Sequence, residues 1–338
     1  MNIADFKNIA VLHTAFIGDV VLAMPIAQAI RNHNKDCKIT FITTPQSASL
    51  PKIASAVNTV TVLDKKGKHR SIFDTIRFAR ELSENAFDLI ITPHRYFRSS
   101  LISFLQKRAV KVGFDNSVMS LIYDKRAEYI RNIHEVKRNL KLTELFGINE
   151  INLSDVELKF SDSDVETVDE ICKGFENRFI VMAPGSVWAT KRWIESHFVE
   201  TALKLKELDY EVILSGSDAD RELCERIAKA SDCMSFAGEM TIPQTILMFR
   251  KAKLIITNDS APTHFAGLVN APVATIFGAT SPIFGFGPLS EKSKIIYNNS
   301  LKCSPCRIHG GDKCPLGTHE CMKSITPEIL LKEIKELI

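Results

Sequence analysis

The sequence predicts an α/β protein built from two wound, parallel-sheet domains, and three observations carry that expectation. Short apolar runs alternate along the whole chain with stretches whose apolar residues fall at helical spacing, and no internal repeat or heptad pattern interrupts them. A length of 338 residues is more than one ordinary core accommodates and suits about two domains of roughly 100 to 200 residues each. Residues 150–176 read as a junction, where Ser161-Asp162-Ser163-Asp164 caps a helix expected to run to Asn177 and a fresh apolar strand opens at Phe179. The domains are therefore placed at 1–160 and 161–338.

In the first half, residues 8–14 form an apolar strand, and Gly18-Asp19 marks the turn into a helix that Pro25 is expected to bend. Further strands are predicted at 38–43, 59–63, 87–92 and 110–114, with a helix over 71–85 and another beginning near His134. In the second half, strands are predicted at 179–183 and 211–215, with a helix over 194–208 between them. Residues 254–278 then give strand, polar turn Asn258-Asp259-Ser260, short helix, and a second strand closed by Gly278. Such a unit directs the end of its first strand and the start of its helix to one crevice, where unpaired N–H groups favour an anion such as a phosphate.

Composition excludes several classes of function. At 45% hydrophobic and 25% charged the chain is an ordinary globular protein. No apolar run approaches the ~18 residues of a membrane span, and the N-terminus lacks a basic segment followed by a long apolar core, so a cytoplasmic protein is expected. Eight cysteines in that setting are expected to be thiols or metal ligands rather than disulfides. The net charge of +3 hides an asymmetry: residues 65–141 hold 17 Lys and Arg against 8 Asp and Glu, which leaves the rest of the chain acidic. That basic segment suits an anionic partner, yet it lacks any recognised nucleic-acid motif.

Candidate site residues cluster at predicted strand ends. Arg95 and Arg98 follow one strand and open a helix, where a guanidinium fork can grip a phosphate or carboxylate or simply face solvent. Lys137 adds a cation on the helix after His134. The loop holding Gly185, Ser186 and Lys191 combines small residues with a point charge, although neither GxxxxGK[ST] nor GxGxxG is present. Asp220, Asp259 and Ser260 suit either ligand contacts or helix capping, and at Asp220 spacing alone favours the cap. Cys303, Cys306, Cys314 and Cys321, spaced C-x2-C-x7-C-x6-C, are candidates for a structural zinc with His309 or His319 as substitutes, or else a reduced surface loop.

Taken together, Gly18-Asp19 with Pro25, Pro184-Gly185-Ser186 with Lys191-Arg192-Trp193, Phe236-Ala237-Gly238, and Asn258-Asp259-Ser260 with His264 resemble the ADP-heptose:lipopolysaccharide heptosyltransferases, glycosyltransferase family 9. The resemblance spans nearly the whole chain. The cysteine-rich tail, with His94-Arg95 and Arg98-Ser99, is most like the heptosyltransferase II branch of that family. Two departures stand out: Asp259-Ser260-Ala261 where the family often has Asp-Thr-Gly, and Asp220 where a longer Glu is familiar.

The resemblance implies a GT-B architecture, two Rossmann-like doubly wound domains facing across a cleft, and an inverting, metal-independent transfer of heptose to the inner core of lipopolysaccharide. It implies that the second domain binds ADP-heptose: Ser186 and Lys191 at the diphosphate, Asp220 at the ribose, the Met240 backbone at the adenine, and Asp259, Ser260, Ala261 and His264 near sugar and phosphates. Asp19 matches the general base, and Lys191 steadies the leaving group. Arg95, Arg98 and Lys137 would meet an acidic acceptor of the lipid A-Kdo-heptose type, with transient contact at the cytoplasmic face of the inner membrane and no cofactor. A family member with another nucleotide sugar, or a non-catalytic module for ADP-sugar or anionic lipid, is the alternative.

Overall fold

Apolar runs become strands, and each half of the chain gathers six of them into one parallel sheet. The computed structural model describes residues 1–175 and 178–338. Two units emerge, Met1–Lys159 and Phe160–Ile338. The first contains β1 (Asn8–Leu12), α1 (Ile17–His33), β2 (Lys38–Thr43), α2 (Ser49–Ile53), β3 (Thr59–Val62), α3 (Ile72–Leu82), β4 (Leu89–Thr92), α4 (Phe97–Leu105), β5 (Val110–Phe114), β6 (Lys125–Ala127) and α5 (Glu135–Glu144). The second opens with α6 (Asp162–Cys172), β7 (Phe179–Ala183), α7 (Glu195–Glu207), β8 (Glu211–Leu214), α8 (Arg221–Ser231) and β9 (Met234–Ser235). It continues through α9 (Ile242–Lys251), β10 (Leu254–Asn258), α10 (Ala261–Leu268), β11 (Val273–Phe277), β12 (Ser293–Tyr297), α11 (Glu320–Lys323) and α12 (Pro327–Ile334).

The sheet orders are β3-β2-β1-β4-β5-β6 and β12-β11-β10-β7-β8-β9. Numbered within each unit, both run 3-2-1-4-5-6, the doubly wound order of a Rossmann-like fold, whose strand order reverses between the first and fourth strands. Central strands β4, β7, β10 and β11 are buried at every position because helices cover both faces, which is why they are continuous apolar runs. The short strands β6, β9 and β12 escape sequence reading: they are short or polar, and each lies at a sheet edge.

Two helix boundaries differ from the expected ones. Helix α1 begins at Ile17, so Gly18 and Asp19 lie in its first turn, and it continues through Pro25 to His33. Every residue from Val20 to Ile30 is buried, with α5 packed against the helix and the buried Asn139 amide donating to the Leu22 carbonyl at 3.1 Å. Helix α6 ends at Cys172, and the expected terminus at Asn177 lies outside the described residues.

A buried arginine ties the end of the first unit together. Arg138, 2% exposed, donates to the carbonyls of Ile130, Arg131 and Ile133 at 2.7, 2.7 and 2.9 Å and pairs with Glu135. Burial raises the Glu135 pKa against the opposing pull of Arg138. Truncation at Arg138 strands that carboxylate and three carbonyls, and loss of one partner from a buried pair costs about 3 to 5 kcal/mol. Arg138→Ala is expected to lower the unfolding free energy by about that amount, read by far-UV circular dichroism in urea; a change within about 0.5 kcal/mol would mean the pair adds nothing.

Candidate functional site

In the second unit the order reverses between β7 and β10, and the loops leaving these two strands meet there. Asn258, the last residue of β10 and fully buried, clamps the loop that follows β7 at both ends. Its amide donates to the Pro184 carbonyl at 2.7 Å, and its oxygen accepts the Trp193 N–H at 2.9 Å. The Trp193 indole N–H then reaches the Ile325 carbonyl at 2.8 Å, anchoring the loop to the C-terminal segment. Spacing gave no hint of this clamp, because an asparagine at a strand end signals only a turn.

Lys191, near the end of that loop, places its ammonium 2.7 Å from Asp259 Oδ2, and both side chains are largely withdrawn from water at 13% and 7% exposure. Thr280 donates its hydroxyl to the same carboxylate oxygen at 2.6 Å. Ser260 is the N-terminal flank of α10 and Ala261 its first residue, so the positive end of that helix opens beside Asp259. His264 lies one turn into α10 and is buried. Ser186 is also buried, and its carbonyl accepts the Arg192 side chain at 2.9 Å.

At the end of β8, Asp220 caps as its spacing suggested, accepting the Ser217 N–H at 3.0 Å and hydroxyl at 2.6 Å. It also lies against the Lys191 loop: a Cβ on Gly185 would come within 2.3 Å of the Asp220 carboxyl carbon, so only glycine permits that approach. Met240 is half-buried just before the cap of α9. Ser186, Lys191, Asp220, Met240, Asp259, Ser260 and Ala261 thus all follow the carboxyl ends of strands in one sheet, the side on which wound folds bind ligands.

The first unit has different electrostatics at its own reversal, between β1 and β4. His94 Nδ1 lies 2.7 Å from Ser99 Oγ and 3.2 Å from Thr14 Oγ1, and the His13 and His94 rings are 5.4 Å apart. The Lys65 ammonium donates to the Thr14 carbonyl. Arg95 stacks on Tyr129, its guanidinium carbon 3.8 Å from the ring centroid, while Arg98 donates to the carbonyls of His69 and Arg70. Among the described residues none of Lys65, Arg95 and Arg98 has a carboxylate within 4.0 Å. Lys137 is separate from this group, exposed on α5 and 4.0 Å from Glu150. One Asp19 oxygen accepts the Phe16 N–H at 3.2 Å across the first turn of α1, the capping geometry that its position suggested.

The tail cysteines come together in the second unit. Among the described residues, no group of three or more His, Cys, Asp or Glu side chains is placed to hold a metal ion. The four are neighbours, but Cys321 turns into the core on α11, where burial, then Cys306, Cys314 and Cys303, push its thiol up to about 11. Cys314 instead sits against backbone N–H groups, that of His319 foremost, which lower its pKa.

Two Rossmann-like units of this strand order in one chain are the parts of the GT-B architecture. A model of glycosyltransferase family 9 (heptosyltransferase) matches residues 75–313, and the chain belongs to that family. It is 31% identical over 179 residues to lipopolysaccharide heptosyltransferase 2 of Escherichia coli K12, an alignment that spans 51% of this chain and 50% of that relative. Among solved structures, a family 9 glycosyl transferase from Veillonella parvula superposes with a TM-score of 0.88 at 20% identity, covering 100% of this chain and 98% of the other. The ADP-heptose lps heptosyltransferase II of E. coli superposes with a TM-score of 0.78 at 22% identity over 98% of both chains.

Burial, then Lys65 and Arg95, pushes the His94 pKa from 6.5 down to about 3, and burial first holds His13 well below its ordinary value too. A histidine depressed in this way takes up its proton in the unfolded chain first. Its contribution to stability is therefore complete above pH 6.5 and is lost as pH falls toward 3. The melting temperature is expected to drop between about pH 7 and about pH 5, and to drop less steeply in His94→Asn. Parallel slopes in a calorimetric pH series would remove His94 from that role.

Proposed function

We propose that this glycosyltransferase moves heptose from ADP-heptose to the inner core of lipopolysaccharide, in the manner of a heptosyltransferase II. The observation that carries the reading is the withdrawn Lys191–Asp259 pair beside the N-terminus of α10, in a chain of family 9. Lys191 has three N–H donors and the pair uses one, so a diphosphate is free to take the others. In this reading the second unit holds the donor: Ser186 and Lys191 at the diphosphate, Asp220 at the ribose, the Met240 backbone at the adenine, and Asp259, Ser260, Ala261 and His264 toward the sugar. The first unit receives the acceptor, whose acidic groups suit Arg95 and Arg98, with Lys137 at their periphery.

The chemistry is a single displacement. An acceptor hydroxyl oxygen bonds to the anomeric carbon as the bond from that carbon to the phosphate oxygen breaks, ADP departs, and the anomeric centre inverts. Asp19 takes the hydroxyl proton, while Lys191 and the α10 N–H groups balance charge developing on the leaving diphosphate, a task that needs no metal. No helix among the described residues is long and apolar enough to cross a membrane. Contact with a lipid acceptor is therefore assigned to surface attraction between the basic first unit and an anionic inner-membrane face, from the cytoplasmic side.

ADP release from ADP-heptose, measured with a panel of truncated lipid A-core acceptors, tests the reaction; release with another nucleotide sugar but not this one would redirect it. Lys191→Ala is expected to weaken ADP-heptose binding and turnover by about 10-fold or more, since a charge-assisted contact is worth roughly 1.5 to 3 kcal/mol. Wild-type kinetics in that variant would remove Lys191 from the donor site. Asp19→Asn is expected to keep the fold and donor affinity while kcat falls by roughly 10²-fold or more. Near-normal kcat with a lowered melting temperature would make Asp19 a helix cap and nothing further.

A further inference from the structure

The cysteine-bearing tail is stitched onto the Lys191 loop. After β11 the backbone of Ala279 accepts N–H groups from Cys306 and Arg307 at 2.9 and 3.3 Å, and Ser304 donates to the Gly278 carbonyl at 2.6 Å. Thr190, beside Lys191, exchanges two bonds with Gly311: its N–H reaches the Gly311 carbonyl at 3.0 Å, and its hydroxyl accepts the Gly311 N–H at 2.8 Å. His319 Nε2 lies 3.1 Å from the Thr190 carbonyl. The segment from Cys306 to Gly311 is thereby fixed between the end of β11 and the loop after β7.

Gly310 makes the closest approach. Its φ is +84°, and a Cβ there would stand 2.9 and 3.0 Å from Lys191 Cγ and Cδ and 3.0 Å from Trp188 Cβ. The aliphatic stem of Lys191 therefore lies on the bare Gly310 backbone while its ammonium reaches Asp259. His309 precedes Gly310, and its ring, only partly open to solvent, lies within the fields of both Lys191 and Asp259.

We propose that residues 306–311 form a wall of the donor site, in which His309 is a further ligand for the diphosphate of the nucleotide sugar and Gly310 is a positioning residue for Lys191. The proposal rests on the donor-site reading above. Partial burial and then the Lys191 charge lower the His309 pKa, so the ring is neutral near pH 7 and offers one N–H to a phosphate oxygen. Beside a fixed ammonium, a neutral donor adds a hydrogen bond without adding repulsion.

Calorimetric titration of the full chain with ADP tests this, alongside the acceptor KM. His309→Ala is expected to weaken ADP binding about 10-fold with an unchanged acceptor KM, and His309→Gln, which keeps an N–H, to recover most of the loss. Gly310→Ala is expected to weaken ADP binding at least as much, because it displaces the Lys191 stem. Wild-type ADP affinity in His309→Ala, while Lys191→Ala loses it, would overturn the His309 assignment. Equal loss in both His309 variants with a lowered melting temperature would overturn it as well, marking a packing role. Unchanged ADP affinity in His309→Ala and Lys191→Ala alike would instead sink the donor-site reading itself.

Discussion

The carboxamide of Asn258 closes the base of the loop that runs from Pro184 to Trp193. Because it is buried, both of its bonds exchange against few alternatives: without it a carbonyl and an N–H would be left unpaired in the interior. The next residue in the chain is Asp259, so the group that shapes the loop also sets where its counter-ion stands. Lys191 then has one place to go, and the Thr280 hydroxyl on the same carboxylate oxygen fixes that end of the pair. A cation held in this way is oriented in advance, so in the proposed donor site little ordering cost would remain to be met on binding.

The two units share a strand order and differ in charge. At its reversal the second unit has a compensated pair, Lys191 with Asp259. The first has cations without a bonded carboxylate among the described residues, beside two histidines that burial keeps neutral. Lys65 itself is lowered from its ordinary pKa by burial, then by Arg98 and Lys66, a sign that positive groups crowd one another there. Crowded positive charge is a standing electrostatic cost that a nearby anion would relieve. Tyr129 lies under both Arg95 and Arg138, 3.8 and 4.8 Å from the two guanidinium carbons, so Arg95 and the arginine that ties the unit together share one ring.

The tail is an instance of a motif whose residues were visible and whose task was not. Four cysteines at tight spacing draw the eye to metal, yet Cys321 packs into the core and Cys314 sits against backbone N–H groups. What the segment does in the fold is carried by less conspicuous groups: Gly310 beneath a lysine stem, and Thr190 paired twice with Gly311.

The sequence by itself determined the class and most of the central strands, though not the edge strands β6, β9 and β12. Strands covered on both faces must be continuously apolar, so β7 and β11 were legible as such runs; β2 and β5 were legible at their bounds too, and helix α3 falls within the expected 71–85. Lys191 and Asp259 could be singled out because each follows an apolar run, where a wound sheet presents its ligand edge, whereas Asp19 and Asp220 read locally as caps and were singled out by the family resemblance. Alternation of strand and helix does not state which strands are neighbours, since the same local pattern is compatible with several orders. Pairing of β7 with β10 is a property of the whole sheet, and that pairing brings Lys191 to Asp259 and Asn258 to Pro184 and Trp193, while the tail, held at Ala279 after β11, reaches Thr190 through Gly311. Local sequence sets propensity and burial pattern over a few residues; contacts between residues remote in the chain exist only once tertiary packing has chosen the neighbours.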